Sequence, residues 1–404
     1  MSSPVESAPV IVAGGGIGGL AAAIALRTAG CRITVLEKAA QFAEIGAGIQ
    51  LGPNAFHALG TLGVADAALK HAVYIDRLVM MDGVTGEEVA AIPLGEAFRQ
   101  YFKNPYAVIH RPDLYAALLE RCRSDSQITL LANHEVTEFS QTNERVTVRT
   151  SSGARFEGAA LVGADGARSR IREPIVGDGG PRVSGHMCYR AVLPLELMPP
   201  ELRWNAVALW AGPRTHFVHY PLHGGQLFNI VATFHGDADS MEHHNEPGDP
   251  RELIAHFRHL PDLPRSVLER SEGWRRWVLV DRDPVANWTC GNVTLLGDAA
   301  HLSLQYFAQG ACMALEDAVC LMQEVGRSGG NFAAAFMRYQ ARRITRTARV
   351  VLSSRAIGQY LYHAEGIERL VRNQLLGEKS SEDFYRSLNW IYGYGRDGAS
   401  GPAG

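Results

Sequence analysis

The run Val10-Ile11-Val12-Ala13-Gly14-Gly15-Gly16-Ile17-Gly18-Gly19 decides how this chain folds at its start. Its apolar, β-branched opening reads as a buried strand, and the glycines read as a tight turn into a helix. Gly14 and Gly16 allow close approach of backbone to a pyrophosphate, and Gly19 lets the helix pack near the strand. The helix, expected to start near Gly18, points unpaired N–H groups and its positive dipole end at the phosphates. A second apolar run, Ile33-Thr34-Val35-Leu36, delivers Glu37 and then Lys38. A carboxylate at that strand end accepts ribose hydroxyls, which suits FAD or NAD, and it repels a 2′-phosphate, which disfavours NADP as the resident dinucleotide. A glycine-rich loop without a ligand is the bland alternative; strand, helix and acid in register weigh against it.

Residues 8–26 carry no charge, so a hydropathy window marks them as a membrane span. Their five glycines and Pro9 fit a strand-turn-helix unit of an α/β core better. The preceding Met1-Ser2-Ser3-Pro4-Val5-Glu6-Ser7 lacks the basic region of a signal peptide. Cys31, Cys122, Cys188, Cys290, Cys312 and Cys320 are scattered without paired spacing, which suggests neither a disulfide framework nor a metal site. A chain that does not span a membrane, in the reducing cytoplasm, is expected. The histidines His235, His243 and His244 lie in or beside a polar stretch and lack the acid spacing of a zinc site.

A length of 404 residues with 46% hydrophobic content supports two connected domains. The net charge of −3, with no basic stripe, speaks against nucleic acid as a partner. Arg342, Arg343, Arg346 and Arg349 are spaced around a long helix and read as a solvated or interface face.

Three later segments return to the dinucleotide theme: Ile109-His110-Arg111-Pro112-Asp113-Leu114, then Ala160-Leu161-Val162-Gly163-Ala164-Asp165-Gly166-Ala167-Arg168-Ser169, then Val293-Thr294-Leu295-Leu296-Gly297-Asp298-Ala299-Ala300-His301. Strands ending in Gly-Asp or Asp-Gly set a carboxylate at the carboxyl edge of a sheet, where open α/β folds bind ligands. In this order the four motifs resemble the single-component flavoprotein aromatic hydroxylases, the salicylate and hydroxybenzoate hydroxylase family, over about residues 10–320.

The resemblance implies an α/β fold with a Rossmann-like FAD-binding domain of hydroxybenzoate hydroxylase type, an inserted antiparallel-sheet substrate domain and C-terminal helices. The boundaries it suggests are 8–75, 100–180 and 285–330 for the FAD domain, and 76–99 with 181–284 for the substrate domain. Residues 331–396 would form the helical region and 397–404 a flexible tail. Gly14, Gly16, Gly19, Glu37 and Lys38 would hold the ADP half of FAD, with Val136 and Arg111 also contacting the cofactor. Asp298 would bond the ribityl chain, and Asp165 would serve FAD and a visiting NADH or NADPH, since no second GxGxxG is present. Ala47, Gly48 and Gln50 resemble the loop bordering the flavin ring. Gly310 and Ala311 open a helix whose free N–H groups would stabilise the charge placed on the flavin by reduction. The family further implies a homodimer.

Residues 207–210, 215–221 and 226–234 read as strands. Period-two alternation puts His216, Val218 and Tyr220 on one face and Phe217 with His219 on the other. Where relatives carry prolines after the Gly-Asp-Ala-Ala-His motif, this chain has Leu302 and Gln305. The Leu304-Gln305-Tyr306 segment is similar to that of the 3-hydroxybenzoate 6-hydroxylases, as are residues 212–217, 220–225 and 389–394. That group inserts oxygen from a C4a-hydroperoxyflavin into 3-hydroxybenzoate, giving 2,5-dihydroxybenzoate (gentisate). Lowering a phenol pKa from near 10 to about 7 takes roughly 4 kcal/mol. Two charge-assisted hydrogen bonds of about 1.5–3 kcal/mol each are the right size. His216 is therefore the expected base, since the unperturbed pKa of histidine lies near neutrality. Gln305 would orient the hydroxyl or the activated oxygen, and Tyr220 would bond the carboxylate or hydroxyl. Tyr189, Arg190, Tyr106, Arg214 and Arg111 stand open as carboxylate partners. Two other readings remain: a decarboxylating salicylate 1-hydroxylase or hydroxynicotinate hydroxylase, and a flavin-binding protein that hydroxylates nothing.

Overall fold

The computed structural model describes residues 8–44, 46–236 and 245–396; His243, His244 and the 397–404 tail lie outside them. Val10–Ala13 forms the centre of a six-stranded sheet, with Ala160–Gly163 and Val293–Leu295 on one side and Ile33–Leu36 and Ile128–Leu131 on the other. These five strands are parallel, and Thr289–Cys290 adds an antiparallel edge. The uncharged stretch at 8–26 is this central strand followed by helix Ile17–Thr28, both buried almost throughout. Burying each Val, Leu or Ile side chain contributes about 1.5–3 kcal/mol, which makes an α/β core rather than a lipid span the resting place of this segment. Among the described residues, no helix is long and apolar enough to cross a membrane.

Two glycines are required by this packing. A Cβ on Gly19 would lie 1.9 Å from the Gly14 carbonyl oxygen, and one on Gly14, at φ +108°, would lie 2.3 Å from the Ala164 carbonyl oxygen. Gly16 differs: its nearest neighbour to such an atom is a Glu44 carboxylate oxygen at 3.9 Å, so it faces open space.

The second sheet has eight strands, in the order Glu246–Pro247, Arg275–Asp281, Arg182–Pro194, Leu227–His235, Thr215–Leu222, Ala206–Gly212, Arg77–Asp82 and Glu88–Pro93. It is antiparallel except where Ala206–Gly212 runs parallel to Arg77–Asp82. Its back face carries Tyr189, Phe217, Phe228, Phe234 and Trp210, packed on Leu253, Phe257, Val267 and Leu268 from helices Pro250–His256 and Asp262–Arg270. On the front, cross-strand register lines up Cys188, Thr233 and His216 in one row. Arg190, Val231 and Val218 form the next row, and Val192, Asn229 and Tyr220 the one after.

Of the four arginines expected on a solvated or interface face, Arg349 is exposed, but Arg342, Arg343 and Arg346 turn to acids of a neighbouring helix. Arg343 is 1% exposed and donates to Asp317 and Glu316 at 2.6 Å each, and Arg346 also bonds Glu316. The acids come from helix Gly310–Gly326, antecedent in sequence to helix Phe332–Ala356, and spacing within one helix does not reveal such partners. Asp317 also accepts from the Gly297 N–H at 3.0 Å and bonds His301 at 2.6 Å, so this buried charge network anchors the turn that carries Asp298. Arg343 and His301 hold the Asp317 carboxyl far below the usual range despite its burial. Leu302, in the proline position, is buried, and its carbonyl accepts from the Arg282 N–H, pinning the same turn.

Helix Phe332–Ala356 continues into a π-helical turn, Ile357–Tyr362, closed by the His363 N–H donating to the Gly358 carbonyl at 3.1 Å. Gly358 is needed here, since a Cβ would lie 2.4 Å from the Tyr306 ring. The wide turn delivers Tyr362 and His363 to the front of the eight-stranded sheet, against Tyr306 and His216.

Candidate active site

A continuous path of side chains links the glycine turn to the front of the second sheet. Gly16 opens toward Glu44, which accepts from Arg111 at 3.0 Å; the Arg111 charge reaches Asp298, and Asp298 Oδ1 lies 3.9 Å from where a Gly310 Cβ would stand. Asp298 has protein packed on every side, which raises its carboxyl pKa by desolvation, yet it keeps exposed surface. Both observations hold for a group on the wall of a deep cleft. Helices Ile17–Thr28 and Gly310–Gly326 each begin on this path without a side-chain cap. Uncapped N–H groups at both ends of a cleft, with a carboxylate between, fit an elongated ligand that carries phosphate and polyol groups.

The other residues expected to hold the dinucleotide lie along the same path. The Glu37 carboxylate accepts from the Gly15 and Ala39 N–H groups at 2.6 and 2.8 Å, while Lys38 is exposed. His134 donates its N–H to the Glu37 carbonyl, and Val136, two residues on, is buried. The Arg111 N–H bonds the Ala47 carbonyl, and the Gly48 N–H donates to Asn229 Oδ1 at 2.7 Å, joining this loop to the second sheet. Gln50 accepts from the Tyr106 hydroxyl at 2.6 Å and its carbonyl meets the Cys312 thiol beside Gly310 and Ala311. Asp165 is turned into its own loop, accepting from Ser169 and the Arg170 N–H at 2.5 and 2.8 Å.

On the front of the second sheet, Gln305 accepts from the Arg190 guanidinium and donates to Thr233 Oγ1 at 3.1 Å and Cys188 Sγ at 3.3 Å. Its amide is thereby clamped to the sheet, a constraint not foreseen from its position after the Gly-Asp motif. The Arg190 charge also reaches Tyr220, which is buried. The carboxylate candidates separate cleanly. Tyr189 points to the back face and bonds Glu252; Arg214 is exposed in its turn; Tyr106 is tied to Gln50; Arg111 is paired with Glu44. Arg190 remains on the front face, with its Nε buried and unpartnered.

His216 is 2% exposed, and its Nδ1 lies 2.8 Å from His363 Nε2. Burial lowers its pKa to about 3, well below the unperturbed value. The ring is neutral because a charged one would lose its water. His363 turns its other nitrogen, Nδ1, to His235 Nε2 at 3.0 Å, and His186 stacks on His235 with ring centroids 4.4 Å apart. The ring nitrogens of His186, His235 and His363 lie within 4.8 Å of one another, and His110, Asp113 and His223 form a second such group. The first grouping is not visible in sequence, where its members stand far apart; in the second, His110 and Asp113 share one motif but His223 is distant. Period-two reading of residues 182–194 and 227–235 does place Arg190, Thr233 and Asn229 with His216, whereas His363 is brought in by a turn with no sequence signature beyond Gly358.

The FAD binding domain family matches residues 7–352. The chain is 47% identical to 3-hydroxybenzoate 6-hydroxylase 1 of Aquipseudomonas alcaligenes, over 95% of this chain and 97% of that protein. It is 48% identical to the 3-hydroxybenzoate 6-hydroxylase of Polaromonas naphthalenivorans, over 98% of each. Klebsiella pneumoniae HpxO, solved with FAD and uric acid, superposes with a TM-score of 0.85 over 98% of both chains at 24% identity, a likeness of fold. The match across nearly the whole length, together with a cleft that fits the cofactor, makes this chain a member of the FAD-dependent aromatic hydroxylases, the family that includes the 3-hydroxybenzoate 6-hydroxylases.

Proposed function

We propose that the protein hydroxylates 3-hydroxybenzoate para to its hydroxyl group, giving 2,5-dihydroxybenzoate. FAD would be resident, NADH or NADPH would visit as reductant, and O2 would be the second substrate. The observation that carries this reading is the front face itself: Arg190, Gln305, His216 and Tyr220 around a floor of Val218 and Val231. His216 and Tyr220 are four residues apart on one strand, about 13 Å at strand rise.

The glycine turn and first helix would hold the pyrophosphate, with Glu37, Lys38 and Val136 around the ADP half. Arg111, Asp165 and Asp298 would hold the middle of the cofactor. Ala47, Gly48, Gln50, Gly310 and Ala311 would border its ring. Bound and reduced, the flavin supplies the activated oxygen. Arg190 would take the substrate carboxylate beside Tyr220, and His216 Nε2, which makes no hydrogen bond to the described residues, would take the phenol proton. Gln305, clamped by Arg190 and Thr233, would fix the distance of the aromatic ring from the flavin edge. Burial, which lowers the His216 pKa to about 3, disfavours a resident imidazolium and so favours passing the proton on.

Six cysteines, all free, support a cytoplasmic setting. Exposed Ile367, Leu370, Val371 and Leu375 on helix Gly366–Gly377 support a homodimer, which sedimentation would test. The function is tested by incubating FAD-loaded protein with 3-hydroxybenzoate, NADH and oxygen and identifying the product by chromatography and mass spectrometry. Coelution with 2,5-dihydroxybenzoate is expected. Catechol and CO2 from salicylate, with nothing from 3-hydroxybenzoate, would replace this reading by the decarboxylating one.

A further inference from the structure

We infer that His216, His363 and His235 form a proton relay that carries the phenol proton of the bound substrate from the sealed front of the sheet to solvent. The inference rests on the hydroxybenzoate reading above and deepens it. His363 is 4% exposed and spends both nitrogens on the chain: Nε2 toward His216 Nδ1 at 2.8 Å and Nδ1 toward His235 Nε2 at 3.0 Å. A neutral imidazole has one donor and one acceptor nitrogen. Three neutral rings therefore align head to tail in one of two senses, and the relay starts from the one in which His216 Nδ1–H donates to His363 Nε2 and His363 Nδ1–H donates to His235 Nε2. In that sense His216 Nε2 is the acceptor left for the substrate. At the other end His235 is partly exposed.

The step balances without a stored charge. The phenol O–H bond breaks and an N–H bond forms at His216 Nε2. The Nδ1 proton of His216 passes to His363 Nε2, that of His363 passes to His235 Nε2, and that of His235 passes to water. Each ring ends neutral in the opposite tautomer, and a proton returning along the chain to the product oxygen restores the starting set. The surroundings suit transit rather than retention. His186 stacks on His235, and its Nδ1 bonds the Tyr306 hydroxyl at 2.5 Å. Tyr306 and Tyr362 flank His216 with ring centroids at 5.3 and 5.1 Å. The Arg214 charge acts on His235 and His186, Arg182 on His186, and all of these disfavour a resident imidazolium; Glu365 acts on His235 and Asp281 on His186 in the opposite sense. Burial and the neighbouring rings lower the pKa of His363 well below its ordinary value.

The test mixes anaerobic, FAD-loaded enzyme with 3-hydroxybenzoate in weak buffer containing a pH-indicator dye, and follows proton release beside the flavin absorbance change that reports binding. Wild type is expected to release its proton as fast as it binds. His363→Asn, whose amide keeps a hydrogen bond but cannot exchange a proton through the ring, is expected to release it at least tenfold more slowly. Its Kd should change less than threefold, and free imidazole should restore the rate. His235→Gln, at the partly exposed end, is expected to show the same slowing and serves if His363→Asn does not fold. Wild type and both variants releasing the proton at one rate would overturn the relay while leaving the substrate reading intact. Failure of wild type to bind 3-hydroxybenzoate would remove the substrate reading and the relay together.

Discussion

His216 and His219 sit three residues apart on one strand, both buried, both held by burial to a pKa of about 3. They face opposite sides of the sheet, and everything else about them differs. His219 packs among Phe217, Phe228 and Trp204, and neither of its ring nitrogens has a hydrogen-bond partner. His216 is bonded to His363 and stands in the row of Thr233 and Cys188, which hold Gln305. Burial and a shifted pKa are thus shared by a packing histidine and the histidine proposed as the base. What separates them is the partner: His216 is bonded to a second buried histidine, and His219 to nothing among the described residues.

That contrast is broken or sharpened by substitution. Replacing His216 with Asn is expected to lower coupled hydroxylation by a hundredfold or more, the usual reach of a general base, while His219→Phe stays within a few-fold of wild type. Equal losses in the two variants would erase the distinction. Arg190→Met is expected to raise KM for 3-hydroxybenzoate roughly tenfold to a hundredfold, since a charge-assisted hydrogen bond is worth about 1.5–3 kcal/mol. Arg214→Met, in the exposed turn, should leave KM where it was; the reverse result would move the carboxylate to the other arginine. Gln305→Ala is expected to raise hydrogen peroxide release per NADH oxidised several-fold, because the aromatic ring is no longer held at one distance. Unchanged coupling would show that Thr233 and Arg190 suffice without it.

The smallest effect is on stability against pH. Histidines that are neutral in the fold, with pKa lowered to about 3 for His216 and His219 and about 4 for His186, bind a proton more readily unfolded, near pH 6.5. Their stability contribution is complete above pH 6.5 and is lost as pH falls toward the folded values, at about 1.4 kcal/mol per pH unit for each ring. Melting temperature should therefore hold steady from pH 8 to 6.5 and drop between 6.5 and 5, less steeply in His219→Phe. A flat profile in that window would mean that these rings are not buried neutral.

The two binding regions were not equally legible in sequence. The dinucleotide cleft is the more legible because each of its residues falls in a short contiguous motif: Gly14 and Gly19 share one strand-turn-helix unit, and Glu37 follows one strand later. The front of the second sheet draws Arg190, His216, Thr233 and Gln305 from four separate segments, and alternation shows only which of them share a face. His363 is less legible still, because a π-helical turn that depends on Gly358 swings it into place. Arg343 and Arg346 of helix Phe332–Ala356 do not lie on the solvated or interface face their spacing suggested, for a related reason: their partners, Glu316 and Asp317, belong to a neighbouring helix.

The central claim, that the polar face of the eight-stranded sheet is where the aromatic acid lies, is tested most directly by a crystal structure of the FAD-loaded protein with 3-hydroxybenzoate. The expected result has the carboxylate on Arg190 beside Tyr220, the ring over Val218 and Val231, and the hydroxyl within hydrogen-bond distance of His216 Nε2. A substrate bound away from this face, or with its carboxylate on His216 and its hydroxyl on Arg190, would contradict the account.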